Sequence, residues 1–268
     1  MNNKAKHLVD EAIEELKQQL DQGKSEALIR YLECMSRFHR YSWCNVLLIN
    51  RQNPGATHVA GFRKWKEMNR WVRKGESGIG ILAPLRRRIE QEDEATGKDK
   101  RYIAGFRIVH VFDISQTEGE EFPELSQPVG NPGQSLQRLE QLISLSDIEL
   151  AYEAIPGGAE GYSANGKIVI EESLAQTERF VTLVHELAHE WLGHHRRATT
   201  PRVHETEAEA VAYVVCRASG VLVPGSSDYI QLYQGNSTVL GESLGRIQQV
   251  SARILTGISQ APGERASK

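Results

Sequence analysis

The segment RFVTLVHELAHEWLGHH combines a helical pattern of apolar residues with an HExxH motif. Helical periodicity predicts one long helix that ends at Gly193. His185 and His189 are four residues apart, so they share one helix face and can bind one divalent metal ion. Glu186 is placed to take a proton from a water bound to that metal. The alternative is a chance match of five residues on a surface helix.

A catalytic site of this kind needs a third protein ligand and an open coordination position. His195 has the spacing of the third histidine in metzincins, but the glycine which that pattern requires is replaced by Leu192. No methionine follows Met68, so the methionine turn of metzincins is also missing. We therefore interpret His194 and His195 as the polar end of the helix.

A glutamate from a second helix is the other source of a third ligand. The segment HETEAEAVAYVVC predicts a helix in which Glu205 and Glu209 share a face, whereas Glu207 points nearly opposite. We predict Glu205 as the ligand and Glu209 as a carboxylate that orients a liganding histidine. Glu207 is expected to be solvated, and His204 is expected to lie at the surface near the start of the helix. The expected metal is zinc, Zn2+.

A second motif, GFRKWKEMNRWVRKGESG, interleaves cations with aromatic residues. Residues 51–88 hold ten Lys or Arg residues and only two acidic ones. Cations match phosphates and aromatic faces stack on unpaired bases, so this composition is typical of a single-strand binder. The alternative is a solvated charged face over core aromatics; we favour the core for the tryptophans and leave the basic residues open. The candidate DNA-binding residues are Arg63, Lys64, Lys66, Arg70, Trp71, Arg73 and Lys74.

The remaining pattern indicates an α+β chain of two domains. Two β-rich runs, residues 78–91 and 101–114, predict a long β-hairpin with an exposed charged tip. The Pro- and Gly-containing stretch near residue 130 predicts a linker, which gives a domain at 1–126, a linker at 127–134 and a domain at 135–262. The strand GKIVI precedes the HExxH helix, as expected for an edge strand that pairs with an extended peptide.

Composition narrows the class of protein. The chain has 268 residues, 40% of them hydrophobic, and a net charge of -3, which excludes a disordered chain and a uniformly basic nucleic-acid coat. Its three cysteines fit a reducing compartment better than a disulfide framework. No apolar run approaches the ~18 residues of a membrane span, and the N-terminus lacks a secretory signal. We expect a cytoplasmic protein without a membrane partner.

The chain resembles the ArdC-type antirestriction proteins. In the first half the resemblance rests on residues 37–84, from RFHRYSWCN to GIGILAP, and on GFRIVHVFDISQTEG at 105–119. The second half is similar to the accompanying zincin-like metallopeptidase domain and, more distantly, to ImmA/IrrE metallopeptidases; Glu205, Glu209 and the small apolar residues after them match. The resemblance implies an N-terminal α+β domain that binds single-stranded DNA, followed by a gluzincin-type domain, and it implies antirestriction activity.

Three functional hypotheses follow. In the leading one, zinc held by His185, His189 and Glu205 activates water for hydrolysis of a peptide or protein substrate, with Glu186 as general base. The second is a non-enzymatic DNA-binding shield whose zinc only stabilises the fold. The third is a regulatory peptidase that cleaves one repressor. The intact Glu186 favours catalysis, because a purely structural metal site needs no general base.

Overall fold

The computed structural model describes residues 3–92, 99–121, 132–223 and 236–260. The chain forms two compact units, one of residues 1–16 and 44–123, the other of residues 17–43 and 124–268. Residues 17–43 therefore group with the C-terminal residues, although the sequence division assigns them to the first domain. Most of the predicted linker and the tip of the predicted hairpin lie outside the described residues, so the boundary at 127–134 stays a prediction.

The described residues form a mixture of helices and strands, which confirms the predicted α+β class. The helices are α1 (Asn3–Asp21), α2 (Glu26–Arg37), α3 (Trp43–Gln52), α4 (Phe62–Glu67), α5 (Gln134–Ser144), α6 (Gln176–Leu192), α7 (Pro201–Ala218) and α8 (Ser237–Ser259). The strands are β1 (Val59–Ala60), β2 (Arg70–Val72), β3 (Ile79–Glu92), β4 (Asp99–Asp113), β5 (Thr117–Gly119), β6 (Glu149–Glu153), β7 (Gly161–Ala164) and β8 (Lys167–Glu171).

The first unit is built around the antiparallel pair β3 and β4, which confirms the predicted long hairpin. β1 extends this sheet in the order β1-β4-β3, and β2 pairs with β5 in a separate ribbon. The buried Asn45 of α3 holds the sheet, because its amide donates to the Leu82 carbonyl at 2.9 Å and accepts from the Leu82 amide at 2.8 Å. The side-chain amide of Asn45 thus pairs with the backbone of β3 as a neighbouring strand would, and this holds α3 against β3.

The second unit contains a three-stranded sheet in the order β6-β8-β7, with β8 parallel to β6 and antiparallel to β7. A two-residue turn joins β7 to β8, and both of its residues, Asn165 (φ 48°) and Gly166 (φ 90°), have the left-handed conformation that such a turn needs. The prediction that GKIVI forms an edge strand is wrong. Ile168, Val169 and Ile170 are fully buried in β8, because this strand has a neighbour on both sides and cover on its faces.

Helices complete the second unit. α6 packs against α5, α7 and α8 as well as against β7 and β8, and its apolar residues Phe180, Leu183, Val184 and Leu187 are fully buried. The helix ends at Leu192, and Gly193 follows in the left-handed conformation at φ 67°, which confirms the predicted end. α7 begins after Thr200, whose side chain caps the Val203 amide. None of the helices described above combines the length and the apolar character of a membrane span.

Candidate metal centre and nucleic-acid surface

Three predicted ligands meet between α6 and α7. His185 Nε2 and His189 Nε2 are 3.0 Å apart on adjacent turns of α6. The carboxylate of Glu205, in the second turn of α7, lies 3.3 Å from His185 Nε2 and 3.6 Å from His189 Nε2. Ligand atoms bound at about 2.0–2.2 Å to one tetrahedral ion lie roughly 3.3–3.6 Å apart. The His2Glu set therefore has the spacing that one divalent metal ion requires, and all its ligand atoms lie within 4.8 Å of one another.

The charges of this cluster are complementary. Hydrogen bonds with His185 and His189 hold the pKa of Glu205 far below its usual range, so this carboxylate is ionised. Burial alone would lower the pKa of His185, but the hydrogen bond to Glu205 and the charges of Glu186, Glu205 and Glu209 raise it. An ionised carboxylate beside two imidazoles is the donor set of many hydrolytic metal sites.

Glu186 is buried next to the two histidines and is not part of the ligand set. Desolvation raises the pKa of Glu186 above its ordinary value, although the charges of His185 and His189 and a hydrogen bond with Ser163 oppose the shift. A carboxylate with a raised pKa is better suited to take up and release a proton near neutral pH. Ser163 lies on the edge strand β7, and no sequence pattern singles it out.

The structure corrects the expectation for Glu207. This residue is fully buried rather than solvated, and its carboxylate binds the guanidinium of Arg197 through both oxygens. The Ser243 hydroxyl of α8 donates to it at 2.8 Å, and His194 Nε2 lies 3.1 Å away. Burial alone would raise the pKa of Glu207, but these hydrogen bonds lower it to about 2. Glu207 is therefore a buried, ionised anchor.

His194 also differs from the expectation of a polar helix end. It is buried in the 3₁₀ turn His194–Arg196, where its Nδ1 lies 2.8 Å from Nδ1 of His189. The ring of His204 stacks on it, with centroids 4.4 Å apart and planes 10° from parallel. The next residue, His195, is exposed as expected. The sequence signal for the position of His194 was the Gly-His pair directly after the HExxH helix. A glycine in the left-handed conformation ends a helix and turns the chain back.

Glu209 does not make the predicted contact. It is exposed, and in the described part of the chain it makes no hydrogen bond to either candidate ligand. Its charge is only the smallest of the contributions that raise the pKa of His185. The polar contact to a candidate ligand histidine comes instead from His194.

The two tryptophans of the basic segment have different surroundings. Trp65 is 1% exposed and donates from Nε1 to the Phe112 carbonyl at 2.8 Å, so the expectation of a core residue is confirmed. Trp71 is 49% exposed on β2, where the same expectation is wrong. Phe62, at the start of α4, is 56% exposed. The first unit thus presents aromatic surface on the segment that also carries the cations.

The predicted cations divide into two groups. Three are engaged within the protein: Lys64 pairs with Glu67, Arg70 with the Thr117 hydroxyl and the Glu120 carbonyl, and Arg73 with Glu76 and the Ser115 carbonyl. The other three, Arg63, Lys66 and Lys74, are exposed and form no ion pair with any described residue. Arg63, Lys66 and Lys74 are therefore the predicted cations that are available to bind phosphates.

Comparisons with known proteins match both units. Residues 2–112 match the N-terminal domain of anti-restriction factor ArdC, and residues 144–231 match an IrrE N-terminal-like domain of a peptidase family. An uncharacterized protein of Bacillus anthracis is 22% identical over 287 residues, which cover 89% of this chain and 49% of the relative. This chain therefore spans about half the length of the curated relative it matches.

Solved structures of the antirestriction protein ArdC from plasmid R388 share the fold. The metal-free form has a TM-score of 0.56 at 17% identity and covers 96% of this chain and 98% of that one. The Mn(II)-bound form has a TM-score of 0.59 at 15% identity, covering 94% and 98%. The described residues form two compact units, with the candidate metal site in the second. Along the chain, a region similar to the ArdC N-terminal domain is followed by a region similar to an IrrE-like peptidase domain, and the fold is similar to that of ArdC.

Proposed function

We propose that this ArdC-like chain binds single-stranded DNA through its first unit, carries a metal-dependent peptidase centre in its second, and acts in antirestriction. The observation that carries the proposal is the meeting of His185, His189 and Glu205 beside the buried Glu186. The proposed metal is zinc; the R388 protein is described with Mn(II), so both ions are to be tested. We also propose that the protein acts in the cytoplasm.

The chemistry of the centre divides between ligands and base. A divalent cation held by His185, His189 and Glu205 would polarise a peptide carbonyl and make a water more acidic. Glu186 is placed to accept a proton from the attacking water, because its pKa is raised and it lies beside the two histidines. The same carboxyl then returns that proton to the amine of the cleaved peptide.

A route for an extended peptide substrate is offered by β7. This strand pairs with β8 on one side, and no described strand pairs with its other side. A free strand edge can add an extended peptide by backbone hydrogen bonds. Because Ser163 of β7 lies close enough to Glu186 to lower the pKa of that carboxyl, a peptide on this edge would lie close to the proposed base. β7 thus replaces GKIVI as the proposed substrate strand.

Glu186→Gln tests the peptidase proposal. The variant should keep the metal and the fold but lose hydrolysis, because the amide cannot accept the proton. Glu190→Gln is the matched control, since Glu190 lies on the same helix and contacts the Gly166 amide rather than the histidines. A peptide library should be screened with each variant, loaded with zinc or with manganese, in the presence and absence of single-stranded DNA.

The same variant separates the functional alternatives. If folded, metal-loaded Glu186→Gln still protects DNA from restriction as well as the wild-type chain does, the DNA-binding shield is favoured. If protection is lost together with hydrolysis, proteolysis is the operative activity. Hydrolysis at the wild-type rate by Glu186→Gln would contradict the proposed base.

The DNA proposal rests on the exposed cations Arg63, Lys66 and Lys74, which belong to the same segment as the exposed Trp71. Arg63→Gln combined with Lys66→Gln should lower the slope of log affinity against log salt by about 1.4, since each phosphate contact on a single strand contributes ~0.7. Lys24→Gln combined with Arg30→Gln changes the net charge equally but lies in the second unit, and should leave the slope unchanged. Equal salt slopes for both double variants and the wild type would contradict the proposed surface.

A further inference from the structure

We propose that His194 and Glu207 act together as positioning residues for His189, fixing which of its nitrogens faces the metal. This inference rests on the proposed metal centre and adds to it two residues from outside the ligand set. Its basis is a line of three groups: the His189 ring, the His194 ring and the Glu207 carboxylate. Consecutive polar atoms along this line are 2.8 Å and 3.1 Å apart.

With one proton on each imidazole ring, the line admits one consistent arrangement of protons. His189 turns Nε2 toward His185 and Glu205 and turns Nδ1 toward His194. Two ring nitrogens 2.8 Å apart need one donor and one acceptor. If His189 donates from Nδ1, its Nε2 is free to bind a metal, and His194 accepts at Nδ1. The proton of His194 is then on Nε2, facing the carboxylate of Glu207, which accepts it.

The reverse arrangement fails at both ends. If His194 donated from Nδ1, its unprotonated Nε2 would face the oxygen of Glu207 at 3.1 Å, with no proton between two acceptors. His189 would then carry its proton on Nε2, where a metal ligand needs a lone pair. The fully buried carboxylate therefore selects the metal-binding tautomer of His189 through the intervening ring.

The surroundings hold the line in place. Glu207 is fixed by Arg197 through both of its oxygens and by the Ser243 hydroxyl of α8. The ring of His204 stacks on the face of His194 and limits its rotation. These contacts come from α7, α8 and the 3₁₀ turn, so the orientation of one candidate ligand depends on three separate segments.

The test compares two substitutions at His194. His194→Phe keeps a flat ring but removes both nitrogens, so the metal affinity should fall 10- to 100-fold, the usual effect of losing a partner of a ligand. His194→Asn keeps an acceptor near the position of Nδ1, so it should recover most of that loss although its side chain is smaller. His195→Phe is the control, because this neighbouring histidine is exposed.

The affinities for Zn2+ and Mn2+ should be measured by competition with a chelator, together with the melting temperature of each metal-free variant. Histidine tautomers should be read from 15N NMR spectra of the metal-free wild type and of His194→Asn. We expect His189 to carry its proton on Nδ1 in both. This readout does not depend on the folding of His194→Phe.

Three results would overturn the inference. One is a His194→Phe variant that binds metal within twofold of the wild type. Another is equal weakness of His194→Phe and His194→Asn, which would mean that the ring only fills space. The third is a proton on Nε2 of His189 in the metal-free wild type. A wild-type chain that binds neither metal would overturn the proposed metal centre as well, which distinguishes the two failures.

Discussion

Glu205→Ala should weaken metal binding and leave the metal-free fold almost unchanged. The substitution removes one of three candidate ligands, so the loss should exceed the 10- to 100-fold typical of an outer partner. A hundredfold loss corresponds to about 2.7 kcal/mol. In the metal-free chain the side chain is 59% exposed, and exposed ion pairs contribute about 0–1 kcal/mol. The free energy of unfolding should therefore change by less than ~1 kcal/mol.

Glu207→Ala, two residues further along α7, should instead destabilise the metal-free fold. The carboxylate is fully buried, and its removal leaves the Arg197 guanidinium, His194 and the Ser243 hydroxyl without their acceptor. Removing one partner of a buried ion pair costs about 3–5 kcal/mol. A domain is stable by only about 5–15 kcal/mol, so this loss is a large fraction of the total. Metal affinity should fall as well, through His194.

Both variants should be compared with Glu209→Ala, which lies on the same helix and makes no hydrogen bond with a described residue. Urea unfolding of the metal-free chain gives the stability, and chelator competition gives the zinc and manganese affinities. Glu209→Ala should change neither quantity appreciably. Wild-type metal affinity in Glu205→Ala, or wild-type stability in Glu207→Ala, would refute the assignment of the two glutamates to different tasks.

Three further predictions concern other parts of the molecule. Trp65→Ala should cost ~3–5 kcal/mol of stability, whereas Trp71→Ala should cost ~1–3 kcal/mol of single-stranded DNA affinity; urea unfolding and fluorescence anisotropy separate the two. Burial alone would raise the pKa of Asp113, but hydrogen bonds from Ser115 and from the amides of Thr57 and His58 lower it. Its stabilisation is therefore complete above about pH 4 and lost below, and Asp113→Asn should remove that acid dependence in urea midpoints measured from pH 2 to 6. Gly193→Ala should cost roughly 1–2 kcal/mol in melting experiments, because an L side chain is disfavoured at its φ of 67°.

The local patterns of the sequence predicted the elements that depend on local interactions. Helical periodicity and the glycine after it placed α6, and the i, i+4 spacing placed His185 and His189 on one face. Two β-rich runs placed the hairpin of β3 and β4. These features depend on residues within a few turns of one another, so one sequence contains enough information to find them.

The features that the sequence did not predict depend on contacts with residues that are distant along the chain. Glu207 is buried because Ser243, 36 residues later, and Arg197 both point at it. β8 lies at the centre of its sheet because β6 and β7 pair with its two edges. The sequence of one strand does not contain this pairing order. Trp65 and Trp71 have similar neighbours along the chain, yet only Trp65 finds the Phe112 carbonyl inside the unit. Tertiary context decided each case.

The left-handed torsion of Gly193 selects between two side chains of identical chemistry. His194 and His195 are adjacent, yet the first is buried against His189 and the second is exposed. A Cβ at Gly193 would meet no atom within 4 Å, so the requirement for glycine comes from the backbone angle and not from lack of space. An insertion or deletion of one residue at this point would bring a different side chain to His189. The proposed ligand environment is therefore more sensitive to chain length here than to the bulk of the residue at position 193.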